Sequence, residues 1–114
     1  VDLAYLEKIT KGNEQFLLSM IDIFLEQNPE DVNMLRNAVR DADFETIRLI
    51  SHKIKTSVVF IGLDKHIQSQ LAEMEKLGTE AQQLGEIKKL FAEVDHVCGK
   101  ADQELKIIKS ERKK

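Results

Sequence analysis

The sequence predicts an all-α fold: an up-and-down four-helix bundle with an additional short N-terminal helix and a long C-terminal helix. Composition is the first reason. Of 114 residues, 42% are apolar and 32% charged, with one Pro, five Gly and no Trp, a balance rich in helix formers and poor in the residues that strands and tight turns need. Apolar residues recurring at three-four spacing in successive segments are the second reason, and short breaks at Gly and Asx residues between those segments are the third. The length is that of one modest core, so residues 1–114 are expected to form a single domain.

Leu3, Leu6 and Ile9 lie at helical spacing, and the first ten residues read as a short helix that Gly12 ends through its tolerance of positive φ. Asn13 is a plausible N-cap. From there to Gln27 the apolar residues, among them Phe16, Met20, Ile23 and Phe24, cover most of a helix surface, which predicts burial on more than one side. Asn28-Pro29 is expected to end that helix. Asn28 as N-cap with Pro29 at the first position starts another, whose Val32, Leu35 and Val39 form a narrow stripe down to Arg40.

After the break at Asp41-Ala42-Asp43, with Asp43 as N-cap, a helix is expected to about Phe60, its core stripe being Phe44, Ile47, Ser51, Ile54, Val58 and Ile61. A very short connection around Gly62-Leu63-Asp64 leads to a helix carrying Ile67, Leu71 and Met74 as far as Leu77-Gly78. Short loops make antiparallel neighbours. The last stripe runs from Leu84 through Ile87, Phe91, Val94, Cys98 and Leu105 to Ile108, long enough to project past the other helices.

Several function classes lack their signatures. There is no GxxxxGK, GxGxxG, GxSxG or HExxH run, and no repeated Glu-x-x-His pair of the kind that builds di-iron sites in bundles. A net charge of -3 argues against general attraction to nucleic acid. The basic cluster Lys106, Lys109, Arg112, Lys113 and Lys114 reads as the closing turns of a helix rather than a binding arm. Cys98 is alone, so an intrachain disulfide and a thiol-based metal site are excluded and a reducing compartment fits. No apolar stretch approaches the ~20 residues that span a bilayer. A cytoplasmic chain, with no membrane and no nucleic-acid partner, is expected.

His52 is the residue with chemical promise. It lies about 100° around the helix from Ser51, on a second stripe of Arg48, His52, Lys55 and Val59 at the border of core and water. An imidazole of ordinary pKa, about 6.5, is mostly neutral near pH 7, and its bare nitrogen can attack phosphorus. Lys55, one turn on, can offset the charge that a phosphoryl group adds. His66 and His96 have no ligand partner at helical spacing and read as ordinary surface residues; Cys98 reads as core.

The run Ile50-Ser51-His52-Lys53-Ile54-Lys55-Thr56-Ser57, followed by Gly62-Leu63, resembles the signature of the histidine-containing phosphotransfer (HPt) family. In that signature the phosphorylated His is followed by Lys at plus three, Gly at plus four, a small residue at plus five and Gly at plus ten. His52, Lys55, Ser57 and Gly62 match. Thr56 departs, standing where the family's Gly leaves open space beside the imidazole. The resemblance extends over the helix order from Leu3 to Leu77 and includes Met74-Glu75 before Gly78.

What the resemblance implies is a phosphoryl carrier rather than a complete enzyme. His52 would accept a phosphoryl group from the aspartyl phosphate of a response-regulator receiver domain and pass it to another receiver, with Lys55 stabilising its charge. Lys53, Thr56, Ser57 and Gly62 would support the site, and Arg48 and Val59 would belong to the docking surface. No cofactor is implied on this chain, because the receiver supplies the Mg²⁺. Receiver domains, and a hybrid sensor histidine kinase, are the implied partners of a monomer. The competing reading is a non-catalytic helical adaptor that binds receivers or other partners while His52 stays idle, and Thr56 is the feature that speaks for it.

Overall fold

The computed structural model describes residues 1–63 and 65–112. Among these residues it has five helices, α1 (Leu3–Ile9), α2 (Glu14–Arg40), α3 (Phe44–Phe60), α4 (Lys65–Glu80) and α5 (Leu84–Arg112), and no strand. The chain is all-α, as the composition predicts. Helices α2 to α5 pack each against the next, with α5 returning against α2, which closes an up-and-down bundle. Leu6 of α1 adds to the core at one end.

The caps expected at Asn13 and Asp43 form, and Asp2, not singled out in the sequence, caps α1. Asp2 accepts from the Tyr5 amide at 3.0 Å, Asn13 from Phe16 at 3.0 Å and Asp43 from Thr46 at 3.2 Å, each satisfying an amide that has no partner within its helix. The stripe of α3 is buried at Ile47, Ser51, Ile54, Val58 and Ile61. Cys98 is core, and its burial pushes the thiol up to about 12.

The break expected at Asn28-Pro29 does not occur: α2 continues through Pro29 to Arg40. Asn28 is not an N-cap but a buried member of one unbroken stripe, Ile21, Phe24, Asn28, Val32 and Leu35, with its Nδ2 donating to Asp102 of α5 at 3.3 Å. A mid-helix proline costs about 3 kcal/mol or more through its missing N–H. Keeping Phe24, Val32 and Leu35 on one face buries side chains contributing about 1.5–3 kcal/mol each, so packing outweighs the local break. Burial all round the first half of α2 is not found either. Phe16 and Ile23 are exposed and, with Met20, Phe24 and Phe60, line a groove of about 360 Å³ between α2 and α3.

The long α5 extends beyond α3 and α4, but alongside α2 rather than free of it. Arg112 bridges Glu7 of α1 at 2.5 Å and Glu14 of α2 at 2.7 Å, Lys109 pairs with Asp22, and the Val1 ammonium meets Glu104 at 3.1 Å. Lys113 and Lys114 of the basic cluster lie outside the described residues, as does Asp64 of the expected connection. No described helix is long and apolar enough to cross a membrane.

Two glycines set how α3 and α4 meet. Gly62 turns the chain with φ +69°, and a Cβ there would fall 2.7 Å from Asp2 Cβ. Gly78 was expected to end α4, yet the helix runs on to Glu80, and the positive φ of Ala81 and Gln83 follows. Gly78 instead lets α4 lie against the backbone of α3, where a Cβ would sit 3.0 Å from Arg48 N and 3.1 Å from the Phe44 carbonyl oxygen. Backbone cannot yield as a flexible side chain can. Gly78→Ala should therefore lower stability by about 1–2 kcal/mol, overpacking exceeding the gain of about 1 kcal/mol in helix propensity; urea denaturation that gave a stabilised variant would contradict the close approach.

Candidate functional site

Burial of Ser51 and Ile54 fixes the rotation of α3, and that rotation puts His52 outside the core with its side chain 61% exposed. Across the hairpin stands Glu75 of α4. The two are paired by arithmetic: His52 lies ten residues before Gly62 and Glu75 thirteen after it, so antiparallel helices leaving a tight turn bring them level. Nδ1 of His52 is 3.1 Å from Oε1 and 3.2 Å from Oε2 of Glu75, and Lys55 Nζ donates to Oε2 at 2.9 Å. One carboxylate thus serves an imidazole and an ammonium one turn apart.

The hydrogen bond from Lys55 holds the Glu75 carboxyl below the usual carboxylate range; partial burial opposes this, and the hydrogen bond to His52 adds to it. An ionised carboxylate can only accept, so Nδ1 must carry the proton and the lone pair resides on Nε2. The free nitrogen is the one directed away from α4. This is an arrangement suited to nucleophilic attack by Nε2 on a group presented from outside, with an ammonium group near enough to share its charge.

A family model described as the Hpt domain matches residues 19–106, from the early turns of α2 to late α5. The chain belongs to the Hpt domain family. Comparison with curated proteins and comparison with solved structures each found no match. Hpt domains are histidine phosphotransfer modules of two-component phosphorelays, and they interact with receiver domains. The matched span contains His52, Lys55 and Glu75 together with the hairpin that joins them.

In this Hpt domain the residues singled out from sequence fall into three places. Arg48, His52, Lys55, Thr56 and Val59 share the outer face of α3. Arg48 is engaged by Glu45 at 2.5 Å, and the Thr56 hydroxyl donates to the His52 carbonyl at 3.1 Å. Lys53 and Ser57 lie instead toward α2: Lys53 Nζ is 3.0 Å from the buried Asp31, and Ser57, its hydroxyl donating to the Lys53 carbonyl at 3.1 Å, lines the α2–α3 groove. Gly62 is at the end of α3, against Asp2 and Tyr5. His66 and His96 are exposed.

Sequence reasoning left out three participants. Glu75 was noticed only as part of the family pattern, though its distance from Gly62 predicts the pairing. Leu49 and Phe60 are exposed by 51% and 53%; Leu49 lies one turn before His52 on its face, and Phe60, eight residues after, borders both the α2–α3 groove and the hollow lined by Lys55, Thr56 and Val59. With Val59 they give that face an apolar character. Among the described residues no group of three or more His, Cys, Asp or Glu side chains could hold a metal ion.

The hydrogen-bond pattern makes a spectroscopic prediction. Long-range ¹H–¹⁵N NMR of the free protein should show neutral His52 protonated predominantly on Nδ1, and Glu75→Ala should shift the ring toward the Nε2-protonated form. An Nε2-protonated ring in the unaltered protein would contradict the pairing.

Proposed function

We propose that His52 is the phosphoryl carrier of this Hpt domain, taking the group from the aspartyl phosphate of one receiver domain and passing it to the aspartate of another. The supporting observation is the exposed ring whose Nδ1 is occupied by Glu75, leaving the Nε2 lone pair to face a docked partner. As the N–P bond forms, the receiver's carboxylate departs with the electron pair of the P–O bond. Lys55, already beside the ring, exchanges Glu75 for the phosphoryl oxygens and offsets their charge of roughly minus two. The receiver supplies Mg²⁺ and most of the remaining charge stabilisation, so this chain provides a nucleophile, one ammonium group and a surface.

That surface consists of Leu49, Val59 and Phe60 around His52, with Arg48 and Lys55 at its edge. Three exposed apolar side chains among charges suit a transient contact. Lys53 contributes at most a distant positive charge, since it is paired with Asp31.

Incubation with a phosphorylated receiver and Mg²⁺ should place acid-labile, base-stable label on the protein, and His52→Gln should abolish it. Lys55→Ala should slow loading about tenfold, equivalent to about 1.4 kcal/mol in the barrier. Label that persists in His52→Gln would place the acceptor on another residue and overturn His52 as the carrier; no label from several receivers while binding is retained would favour an adaptor instead.

Thr56 adds bulk on the approach to the ring. Thr56→Gly should accelerate transfer and widen the set of receivers accepted, while lowering stability by about 0.5 kcal/mol because Gly is the poorer helix former. Equal transfer rates across a panel of receivers would remove Thr56 as a determinant of partner choice.

A further inference from the structure

Two side chains of the next turn of α3 flank the His52 ring. With about 3.6 residues per turn, Lys55 lies about 60° to one side of His52 and Thr56 about 40° to the other. Lys55 is on the side of α4, where its ammonium group meets Glu75. Thr56 is therefore on the opposite side, the one toward which the free Nε2 is directed. Side chains on a helix lean toward its N-terminus, so a residue one turn on covers the ground beside His52. The Thr56 hydroxyl shows this lean, reaching back to the His52 carbonyl at 3.1 Å.

The other hydroxyls nearby are turned elsewhere. Ser57 donates to the Lys53 carbonyl and lines the α2–α3 groove. Thr79 of α4 donates to the Glu75 carbonyl at 3.0 Å and lines a hollow with Lys55 and Glu75, on the Nδ1 side of the ring. Among the described residues, Thr56 carries the hydroxyl on the Nε2 side. Thr56 and Lys55 also line one open hollow with Val59, Phe60 and Gln68.

The Thr56 hydroxyl can be redirected at little cost. The His52 carbonyl already accepts the Thr56 amide within α3, so the hydroxyl is a second donor to it, and its departure leaves no buried group unpaired. An O–H also turns about its C–O bond to suit its acceptor. A phosphoryl group on Nε2 brings charged oxygens, and a hydrogen bond to a charged acceptor is roughly twice as strong as one to a neutral carbonyl.

We infer that Thr56 is a phosphoryl-binding residue: its hydroxyl turns from the His52 carbonyl to a phosphoryl oxygen on Nε2, opposite the Lys55 ammonium, and holds the loaded form against discharge. This rests on the reading of His52 as the carrier, and the experiment separates the two. In discharge the N–P bond breaks, its electron pair returns to Nε2, and an acceptor oxygen forms the new P–O bond through a loose transition state. The phosphoryl oxygens carry most charge before the N–P bond breaks, so a donor held on them favours the loaded state over the transition state. Bulk at position 56 restricts partners, and the hydroxyl sets how long the group waits for one.

Potassium phosphoramidate loads His52 without a partner protein: its P–N bond breaks, the electron pair leaves on ammonia, and the Nε2 lone pair forms the bond to phosphorus. The unaltered protein, Thr56→Ser and Thr56→Val are loaded in this way and freed of donor. Loss of the phosphoryl group to water, the simplest acceptor, is then followed by ³¹P NMR. Thr56→Val keeps the shape and removes the hydroxyl, whereas Thr56→Ser keeps the hydroxyl and removes the methyl group. The position is exposed and the three residues are similar helix formers, so folding is not at issue. Thr56→Val should discharge about fivefold faster than the unaltered protein, as the loss of one net hydrogen bond requires, and its phosphorus resonance should move. Thr56→Ser should restore both the slow rate and the resonance position. A fast Thr56→Ser beside a slow Thr56→Val, or equal rates in all three, would overturn the role of the hydroxyl and leave the carrier standing. Absence of phosphate on His52 in the unaltered protein would overturn the carrier, and this inference with it.

Discussion

A single carboxylate, Glu75, bridges an imidazole and an ammonium group across the α3–α4 hairpin, and the chemistry of the site depends on that sharing. Such pairs at a surface contribute little to stability, about 0–1 kcal/mol each. The pairing therefore does not hold the hairpin together. The hairpin holds the pairing: Ile47, Ile54 and Val58 of α3 and Ile67, Leu71 and Met74 of α4 are fully buried, and this packing fixes both helices in rotation. Fixed rotation is what turns a flexible glutamate on one helix into a reliable acceptor for a histidine on the other.

The backbone contributes as much as the side chains. Gly62 allows the turn and admits α1 beside it, while Gly78 brings the far end of α4 against α3 near Arg48. Contact at both ends leaves little freedom for the helices to slide, and a slide of one turn would carry Glu75 past Lys55. The remaining helices act as support. α2 stays continuous through Pro29, and α5 is tied along it from Cys98 at the core to Arg112 at the end. This rigidity suits a module whose reacting group must be presented to more than one partner in the same way.

Much of this was readable from the sequence because the relevant physics is local. Asn13 and Asp43 cap where short polar residues precede apolar periodicity, and His52 and Lys55 share a face because they are one turn apart. Errors arose where distant contacts override local preference. Asn28-Pro29 has the form of a helix boundary, yet Asn28 fills a stripe position and reaches Asp102, seventy-four residues away. Gly78 has the form of a helix end, yet its lack of a side chain serves a helix crossing. Lys53 sits beside His52 in sequence but points to Asp31, since adjacent residues on a helix face different ways. Glu75 was legible in principle, by counting outward from Gly62, and was passed over because a lone glutamate on an amphipathic helix carries no local signal.

A phosphoryl carrier built this way must react through the ring nitrogen that Glu75 leaves free. The most direct measurement is the position of the N–P bond in the loaded protein, read from ³¹P and ¹⁵N couplings after labelling with ¹⁵N-histidine. Phosphorus bonded to Nε2 of His52, with a proton still on Nδ1, is the predicted result. Phosphorus on Nδ1, or on a residue other than His52, would contradict it.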